Sequence, residues 1–570
     1  DTILSPEYLQ YIRQKINMDY GFMKSQAPLK LLIQDNSLEF HIEAMRMLAM
    51  EKFFEENASL ADRLPEMILD AKETLRDPRR FYQADLLMDA MYVIEKSLEK
   101  ASLPFHPARL SLNNFEQPQM MLETNYLIEY ANSRNENMFY KFYERKLDEI
   151  LEVDADLIGI SINSFSQVLG GLTLARMLKE RVGKNARINI GGNFFMRVKN
   201  TLMKRPEFFE NFCHSISLGE GEKQVLIMVE ELHKGNGFKN VPDLLYYAPD
   251  DEEKVKYTFC QDPEKLDNIG FQDPTGLPVH LYFTPDIVMC LQSSKGCYWG
   301  KCSFCDTDYG IKHDIKSLDR LIEEIKYSRD LHGVRNFEFI DESIRPGYMR
   351  KMAQRFIDEG LNINWFCNGR LEDDFTPELL KLLHKSGLTM VLWGLESGSR
   401  RIHRLINKGV DFQNRFEVLK NAHNAKLWNF AYIFFGFPTE TREEARKTID
   451  TIIENKTIID SYGRSVFTLG KHSILCREAE KFGILEVVED SEELSTNLHY
   501  RAKTGMDDEA IDEMMKECTR CCAEAYDYNL WYYLRNRENI HLYLVKYGRD
   551  YVRNYKVPGD TSLTSVWEEG

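Results

Sequence analysis

The sequence predicts an α/β protein in which a doubly wound parallel sheet is followed by a partial (β/α)6 barrel, with a helical region at each end. Between residues 120 and 250, and again between 286 and 475, short runs of buried-strand residues alternate with segments of helical periodicity. This alternation is typical of parallel sheets whose strands are joined by crossover helices. Both end regions instead carry apolar residues at three- and four-residue steps, which favours helices.

Length and composition limit the classes of function. A chain of 570 residues is too long for one hydrophobic core, which predicts two to four domains. A net charge of −17 and a pI near 5.4 argue against a nucleic acid or a membrane as partner. No apolar run is long enough to cross a bilayer, no signal peptide is evident, and eleven irregularly spaced cysteines do not suggest a disulfide framework. We therefore expect a cytoplasmic protein.

The first predicted region, residues 1–115, is helical. Segments beginning at Leu38 and Gln83 show the helical period, and Pro104 and Pro107 mark the end of the region. No catalytic constellation is evident here, so we interpret the region as a packing or substrate-capping layer.

The second region, residues 116–250, contains the predicted doubly wound sheet. Strands are expected at 156–163, 187–192 and from 215, with helices at 172–181 and 223–233. Ligands of such sheets bind outside the carboxyl ends of the strands. Polar residues and glycines gather at these ends, and a ligand site is predicted there.

Residues 251–285 are rich in Asp, Glu and Pro and are interpreted as a linker. The region 286–480 then supplies six strand–helix units, with helices such as 318–330 and 442–454. Six such units predict a partial barrel with its chemistry at the carboxyl ends of the strands. The predicted strands are 287–293, 336–340, 363–368, 390–395, 430–435 and 465–469.

Three cysteines, Cys297, Cys302 and Cys305, lie within nine residues directly after the first strand of this region. Thiolates select iron–sulfur clusters, zinc or cuprous copper. His313 could supply the fourth ligand of a tetrahedral zinc site, so the spacing alone leaves zinc open. A [4Fe–4S] cluster held by three cysteines would instead leave one iron for another ligand.

The loop Gly-Cys-Tyr-Trp-Gly-Lys-Cys-Ser-Phe-Cys, residues 296–305, resembles the cluster loop of radical S-adenosylmethionine (SAM) enzymes, and in particular of members that also bind cobalamin. The commonest loop of the family has three residues in the first gap, whereas this one has four. The resemblance implies a [4Fe–4S] cluster at the three cysteines, with SAM chelated to the open iron. It also implies that Phe304 lies beside the adenine.

Other residues continue the resemblance at the ends of later strands. It implies that Asp341 and Glu342 contact the SAM amino group or ribose, and that Arg370 binds the SAM carboxylate. Glu396 and Ser397, in Gly-Leu-Glu-Ser-Gly, would hold the ribose or the methionine end. The run Ile-Phe-Phe-Gly-Phe-Pro-Thr-Glu-Thr at 433–441 resembles the motif that supports the adenine. Taken singly, a charged residue at a strand end is usually a solvated position, and Glu396 alone would favour a structural role over a ligating one.

The 116–250 region resembles the cobalamin-binding domain of these enzymes, where Gly-Gly and Gly-Glu-Gly-Glu turns recur. It lacks the Asp-x-His-x-x-Gly signature, which leaves the lower cobalt ligand undefined. An alternative is a Rossmann-like domain that has lost its ligand. The residues implied in cobalamin binding are Asn163, Ser164, Gln167, Gly191, Gly192, Asn193, Gly219, Glu220, Gly221 and Glu222.

The last region, residues 481–570, is predicted to be helical. Cys518, Cys521 and Cys522 could hold an auxiliary cluster, but their spacing also arises in a packed helix, which we favour. The many aromatic residues of 526–555 are interpreted as core or channel lining, because an acidic chain lacks the basic groove that stacked nucleic-acid bases require.

The resemblance as a whole implies a cobalamin-dependent radical SAM C-methyltransferase that acts on an unactivated carbon of a peptide or protein side chain or of a natural product. An electron donor such as flavodoxin or ferredoxin is the expected partner. The alternative within the family is a radical cyclase, cross-linking or rearrangement enzyme that transfers no methyl group from cobalamin. The alternative outside enzymes is an iron–sulfur or zinc-binding interaction module.

Overall fold

The computed structural model describes residues 3–14, 38–183, 186–260, 264–306, 312–488 and 492–556. The chain forms two compact units, each assembled from separate stretches of sequence. The first unit comprises Asp1–Leu75, Asp89–Glu264 and Glu492–Thr496, and the second comprises Arg76–Met88, Lys265–Ser491 and Asn497–Gly570.

The amino-terminal region is helical over the residues described, as the sequence predicts. Asp77 begins one short helix by accepting a hydrogen bond from the backbone N–H of Arg79, which satisfies one of the free donors at a helix start. A short hairpin follows these helices, in which the two-residue strands Arg109–Leu110 and Phe115–Glu116 pair antiparallel. Residues 6–14 are helical, and the later helices are Leu38–Glu56, Ala58–Arg76, Pro78–Phe81 and Ala84–Ser102.

The first unit contains a five-stranded sheet in which the strands lie in chain order. Its first three strands are parallel, and their apolar side chains pack against helices in a core that includes Ile188, Ile190 and Phe208. The strands are β1 (Leu157–Ser161), β2 (Arg187–Gly191), β3 (Ser215–Ser217), β4 (Leu244–Tyr247) and β5 (Val255–Thr258). The helices are Thr124–Asn132, Tyr140–Leu151, Val168–Arg181, Asn193–Met196, Lys199–Leu202, Pro206–Phe212 and Gly221–His233.

Strands β4 and β5 were not predicted from the sequence. Strand β4 pairs antiparallel with β3, and β4 and β5 pair antiparallel with each other. Only seven residues, 248–254, connect them. A parallel pair needs a crossover of a dozen or more residues, whereas an antiparallel pair needs only a tight turn. Strand β5 also lies inside the stretch predicted as a linker, residues 251–285.

The second unit contains the predicted six-stranded parallel sheet, again in chain order. Five strands lie close to their predicted positions, and the sixth begins four residues earlier than predicted because the polar run Ser461–Arg464 is part of it. The strands are β6 (Val288–Leu291), β7 (Asn336–Phe339), β8 (Asn364–Gly369), β9 (Leu388–Glu396), β10 (Trp428–Phe435) and β11 (Ser461–Val466).

Helices cover the convex face of this sheet. Phe339 of β7 and Trp365 of β8 pack edge-on with each other, and both contact Phe356 of the helix Pro346–Asp358. Alternate residues such as Glu338 therefore point to the concave face. The helices are Leu318–His332, Pro346–Asp358, Pro377–Lys385, Arg400–Ile406, Asn414–Asn424 and Arg442–Glu454.

The carboxy-terminal region is not purely helical as predicted. Short strands at Leu469–Gly470, Ile484–Val488 and Asn497–Ala502 form a small sheet. In the aromatic run that follows, Tyr526, Trp531 and Tyr543 are buried whereas Tyr547 is 38% exposed, so part of the run belongs to the core. The remaining helices are Ile474–Arg477, Asp508–Ala525, Arg537–Tyr547 and Arg549–Asn554.

The three carboxy-terminal cysteines lie on the helix Asp508–Ala525. Cys518 and Cys522 are fully buried and Cys521 is partly buried. Among the residues described, no three His, Cys, Asp or Glu side chains come together as for a metal ion. Their arrangement fits the packing interpretation. Within the described part of the chain, no helix is both long and apolar enough to span a bilayer.

Candidate active site

The cysteine loop, defined here as residues 296–306, follows β6 and is fixed to the residues after the helix Arg400–Ile406. Ser303, between the second and third cysteines, donates from its N–H to the carbonyl of Ile406 (2.8 Å) and from its hydroxyl to that of Leu405 (2.8 Å). The carbonyl of Ser303 accepts from the N–H of Leu475 (2.7 Å). The loop is therefore held on both sides by the barrel.

Trp299 anchors the other part of the loop. Its indole N–H donates to the carbonyl of Asn407 (3.0 Å), and the Asn407 side chain donates to the carbonyl of Lys301 (3.0 Å). Gly409 is required here, since its φ is +75° and a Cβ would lie 2.1 Å from the Trp299 ring. The Trp299 ring therefore packs directly on the backbone of Gly409, where only glycine leaves enough room.

The three cysteines are partly buried along this loop. Burial raises the pKa of Cys302 to about 11, and Lys408 and Arg370 oppose that rise. A thiolate at this position therefore needs a further positive charge, which a bound metal supplies. Among the described residues, Cys297, Cys302, Cys305 and His313 do not form a group that would hold a single metal ion. Three cysteines fit a cluster, which divides its ligands among several iron atoms.

Asp341, predicted to contact SAM, is fully buried and lies against Ser293 and Ser294, the residues that lead into the cysteine loop. Its carboxylate accepts hydrogen bonds from the N–H and hydroxyl of Ser293 (3.0 and 2.8 Å) and from the N–H and hydroxyl of Ser294. Burial raises its pKa, and these hydrogen bonds oppose the rise. The structure therefore gives Asp341 a role in holding the chain that leads into the cysteine loop. Glu342 follows it at the strand end and is partly buried.

Arg370, at the end of β8, is 4% exposed. Its Nε donates to Glu372 (2.8 Å) and one terminal nitrogen, Nη2, donates to the carbonyl of Lys408 (2.6 Å). The other, Nη1, is buried and has no hydrogen-bond partner among the residues described. The guanidinium lies over Trp299 at 4.6 Å. A buried donor without a partner is costly, so this N–H is suited to an anionic ligand.

Glu396 ends β9 at a register irregularity and has a φ of +65°. Its carboxylate accepts a hydrogen bond from the buried ammonium of Lys408. A glutamate in the left-handed region is strained, and such strain persists only where surrounding contacts enforce it.

Ser397 is fully buried, and its hydroxyl accepts from the N–H of Ser399 (3.1 Å). Arg415 donates to the carbonyls on either side of Glu396, those of Leu395 (3.1 Å) and Ser397 (2.8 Å). Ser397 thus helps to hold the backbone at the end of β9.

Sequence reasoning missed Lys408 and Arg415. The signal available for Lys408 was its position between Asn407 and Gly409, two residue types that tolerate the left-handed backbone they adopt here. Arg415 lies in an ordinary helical pattern and gave no signal.

Phe304 lies against Phe434 of β10, with ring centroids 5.2 Å apart. Both belong to an apolar cluster that also includes Phe437 and Phe467. The 433–441 run thus places an apolar surface beside the cysteine loop, as required for a ring ligand.

Glu440, in the same run, is 1% exposed, and its carboxylate accepts from the N–H of Gly436 (2.7 Å). Burial raises its pKa from 4.5 to about 7. Its other oxygen has no hydrogen-bond partner in the described structure. At neutral pH this carboxyl therefore holds its proton far more readily than in the unfolded chain.

This shift predicts a pH dependence of stability. Below pH 4.5 the carboxyl is protonated in both states; between 4.5 and about 7 the folded state alone keeps the proton. The free energy of unfolding should therefore fall as pH rises through this window, by about 3 kcal/mol from this group. Glu440→Gln should remove that part of the slope in urea titrations across the window. Parallel curves for the variant and the wild type would contradict it.

In the first unit, the loops after β1 and β2 meet at the carboxyl edge of the sheet. The side chain of Asn163 accepts from the N–H of Asn193 (3.2 Å), and Gln167 accepts from the N–H groups of Asn163 (2.8 Å) and Ser164 (3.3 Å). Gly192 has a φ of +101°, and a Cβ there would lie 2.3 Å from the carbonyl oxygen of Ile162. Its neighbour Gly191 ends β2.

The third predicted stretch follows β3 at the same edge. Gly219 lies against Asp243, since a Cβ would meet that carboxylate at 2.6 Å. Glu220 and Gly221 begin the helix Gly221–His233, with Glu222 in its first turn. A Cβ on Gly221 would meet open space. The ten residues predicted to bind cobalamin thus follow three adjacent parallel strands.

Comparison with known proteins agrees with this geometry. The model of the Radical SAM superfamily matches residues 291–452, which span β6 to β10. An uncharacterized methyltransferase of Pyrococcus horikoshii is 27% identical over 310 residues, covering 53% of this chain and 64% of the relative. A bacteriochlorophyllide d C-12(1)-methyltransferase of Chlorobaculum tepidum is 29% identical over 171 residues, covering 29% and 37%. The chain therefore spans less than two thirds of these relatives.

Two solved structures share the fold. The cobalamin-dependent SAM radical enzyme OxsB, with aqua-cobalamin and SAM bound, has a TM-score of 0.53 at 12% identity, covering 79% of this chain and 72% of its own. The radical SAM methyltransferase TsrM from Kitasatospora setae, with cobalamin and a [4Fe–4S] cluster bound, has a TM-score of 0.50 at 14% identity, covering 69% and 82%. At these identities the likeness concerns the fold alone.

Proposed function

We propose that the protein is a cobalamin-dependent radical SAM methyltransferase, because residues 291–452 match the model of the Radical SAM superfamily. The observation that carries this proposal is the cysteine loop itself. Three cysteines, all partly buried, lie within nine residues of one loop directly after the first strand of the barrel. Arg370, with a buried unpartnered N–H, lies over Trp299 of the same loop.

In this proposal Cys297, Cys302 and Cys305 hold a [4Fe–4S] cluster. The bound cluster and SAM supply reductive cleavage of the sulfonium, which yields a 5′-deoxyadenosyl radical. The chain's own residues bind SAM and orient it at the cluster. Nη1 of Arg370 donates to the SAM carboxylate, and Phe304 with Phe434 packs on the adenine. Glu342 and Glu396 face the amino group and ribose, while Asp341 and Ser397 hold the strand ends that carry the other contacts.

We further propose that cobalamin binds at the carboxyl edge of β1, β2 and β3 and carries the methyl group. Two relatives are named methyltransferases, and both solved structures with this fold were determined with cobalamin bound. Gly221 leaves open space at the start of its helix, where a large flat ligand can approach the backbone closely. The acceptor is an unactivated carbon of a peptide or protein side chain or of a natural product. A flavodoxin or ferredoxin supplies the electron.

Product analysis tests the proposal. The full chain is reconstituted anaerobically with iron, sulfide and cobalamin and is then given SAM and a strong reductant. Methyl transfer predicts both 5′-deoxyadenosine and S-adenosylhomocysteine. Deoxyadenosine alone would favour a radical cyclase, cross-linking or rearrangement enzyme. Metal binding with no SAM cleavage would favour an interaction module and would overturn the proposal.

The cobalamin site predicts a specific effect at Gly221. Because a Cβ there meets open space, Gly221→Val should leave the fold intact but obstruct the ligand, weakening cobalamin binding about tenfold or more. Gly159→Ala, at an equally open position within β1, is the matched control. Equilibrium dialysis against hydroxocobalamin measures both. Equal affinities in the two variants would argue against this edge as the site.

A further inference from the structure

One short segment contacts both the cysteine loop and the two strand-end residues Glu396 and Arg370. We propose that Lys408 is a positioning residue, which couples the cysteine loop to the two side chains expected to hold SAM, Glu396 and Arg370. The inference rests on the proposed function, since it concerns how SAM is bound. Lys408 is not itself expected to touch the reacting atoms. The segment concerned, Leu405–Gly409, comprises the last two residues of the short helix Arg400–Ile406 and the three residues after it.

The first contact is with Glu396. The Lys408 ammonium donates to the Glu396 carboxylate, and the two residues are 7% and 9% exposed. The ammonium also lies directly over the backbone of Gly394, where a Cβ would be only 1.8 Å from Nζ. The glycine thus creates the space through which the lysine reaches Glu396. This pair fixes the direction of a glutamate whose backbone is held in the left-handed region.

The second contact is with Arg370. The carbonyl of Lys408 accepts from Nη2 of Arg370 (2.6 Å), while Nε is held by Glu372. With these two nitrogens fixed, the plane of the guanidinium is set, and Nη1 is left as the donor without a partner in the described residues. One residue therefore orients Glu396 through its side chain and Arg370 through its backbone.

The third contact is with the cysteine loop. Leu405, Ile406 and Asn407 offer their carbonyls to Ser303 and Trp299, and Gly409 accommodates the Trp299 ring. A displacement of the loop therefore shifts the segment that carries Lys408. Lys408 is flanked directly by Asn407 and Gly409, both of which contact Trp299 of the loop.

A purely structural ion pair is the competing explanation. Buried ion pairs often add little stability, because desolvation offsets their attraction. Substitution of a structural lysine would lower the melting temperature but leave the affinity of folded molecules for SAM unchanged. Substitution of a positioning lysine would act on the KM and the dissociation constant for SAM while the cluster is retained. Loss of such a supporting contact typically costs about 10- to 100-fold.

The experiment compares Lys408→Met and Lys408→Arg with Lys420→Met, an exposed lysine with only a long ion pair to Glu417 (3.9 Å). Iron content, melting temperature, equilibrium dialysis with labelled SAM, and the rate of 5′-deoxyadenosine formation are measured on the full reconstituted chain. Lys408→Met should keep its iron and raise both SAM constants at least about tenfold. Lys408→Arg should lie between it and the wild type, and Lys420→Met should match the wild type.

The outcomes separate the two proposals. Wild-type protein that forms no 5′-deoxyadenosine overturns the proposed function. Active wild type together with a folded Lys408→Met that has wild-type constants for SAM overturns the positioning role alone. If Lys408→Met does not fold, Lys408→Arg decides, because its larger planar head cannot reproduce the contact with Glu396. A raised KM then supports positioning, and a wild-type KM overturns it.

Discussion

Replacement of any one of Cys297, Cys302 or Cys305 by alanine is expected to abolish SAM cleavage. Each thiol is one of three that the loop offers, and a cluster with two protein ligands is not held firmly enough to bind SAM. The expected results are loss of the cluster's visible absorbance, loss of bound iron, and 5′-deoxyadenosine below the detection limit. Absorbance spectra, iron assays and chromatography of the quenched reaction measure these effects.

Cys521→Ala is the matched control for these variants. Cys521 is partly buried like the loop cysteines but lies on the helix Asp508–Ala525, more than 200 residues after the cysteine loop. It should retain both iron and activity. A loop variant that kept its cluster and still formed deoxyadenosine would refute the assignment of the three cysteines.

Asp341→Ala is expected to have the largest effect on stability. The carboxylate is fully buried and accepts four hydrogen bonds from the backbone and hydroxyl groups of Ser293 and Ser294. Removing it leaves these donors buried without their acceptor, which should cost at least about 3 kcal/mol of the free energy of unfolding. Because Ser293 and Ser294 lead into the cysteine loop, iron incorporation should fall as well.

Urea titration followed by tryptophan fluorescence suits this measurement, because Trp299, Trp365, Trp393, Trp428 and Trp531 all lie in the second unit. Asp319→Ala is the control, since that side chain is 81% exposed in its ion pair with Arg355. Exposed positions of this kind change stability by about 0.5 kcal/mol or less. If the two variants unfolded at the same urea concentration, the structural role given to Asp341 would be wrong.

Local sequence patterns were sufficient for most of the fold. The six barrel strands, the first three strands of the other sheet and the helix Arg442–Glu454 follow from apolar runs and helical periodicity, which depend only on neighbouring residues. The antiparallel pair β4 and β5 was missed because its direction depends on loop length and partner choice. The short strands near residues 469–502 were missed because they are too brief to show a period.

The candidate site divides in the same way. The spacing of the cysteines, and the placement of Arg370 and Glu396 at strand ends, could be predicted from the sequence. The structure alone decided that Asp341 supports the loop start and that one nitrogen of Arg370 is buried without a hydrogen-bond partner among the residues described. It also revealed Lys408, which donates to the carboxylate of Glu396, and Arg415, which donates to the carbonyls on either side of it.

The sequence by itself determined which residue types stand at the carboxyl ends of the strands, because strand and helix periods are local properties of the chain. Only the tertiary structure decided which of those side chains already form hydrogen bonds or ion pairs within the protein. Arg370 and Lys408 are 38 residues apart, and Ser294 and Asp341 are 47 apart. Whether a polar group is satisfied by the protein or left for a ligand depends on such distant contacts, and no local pattern records them.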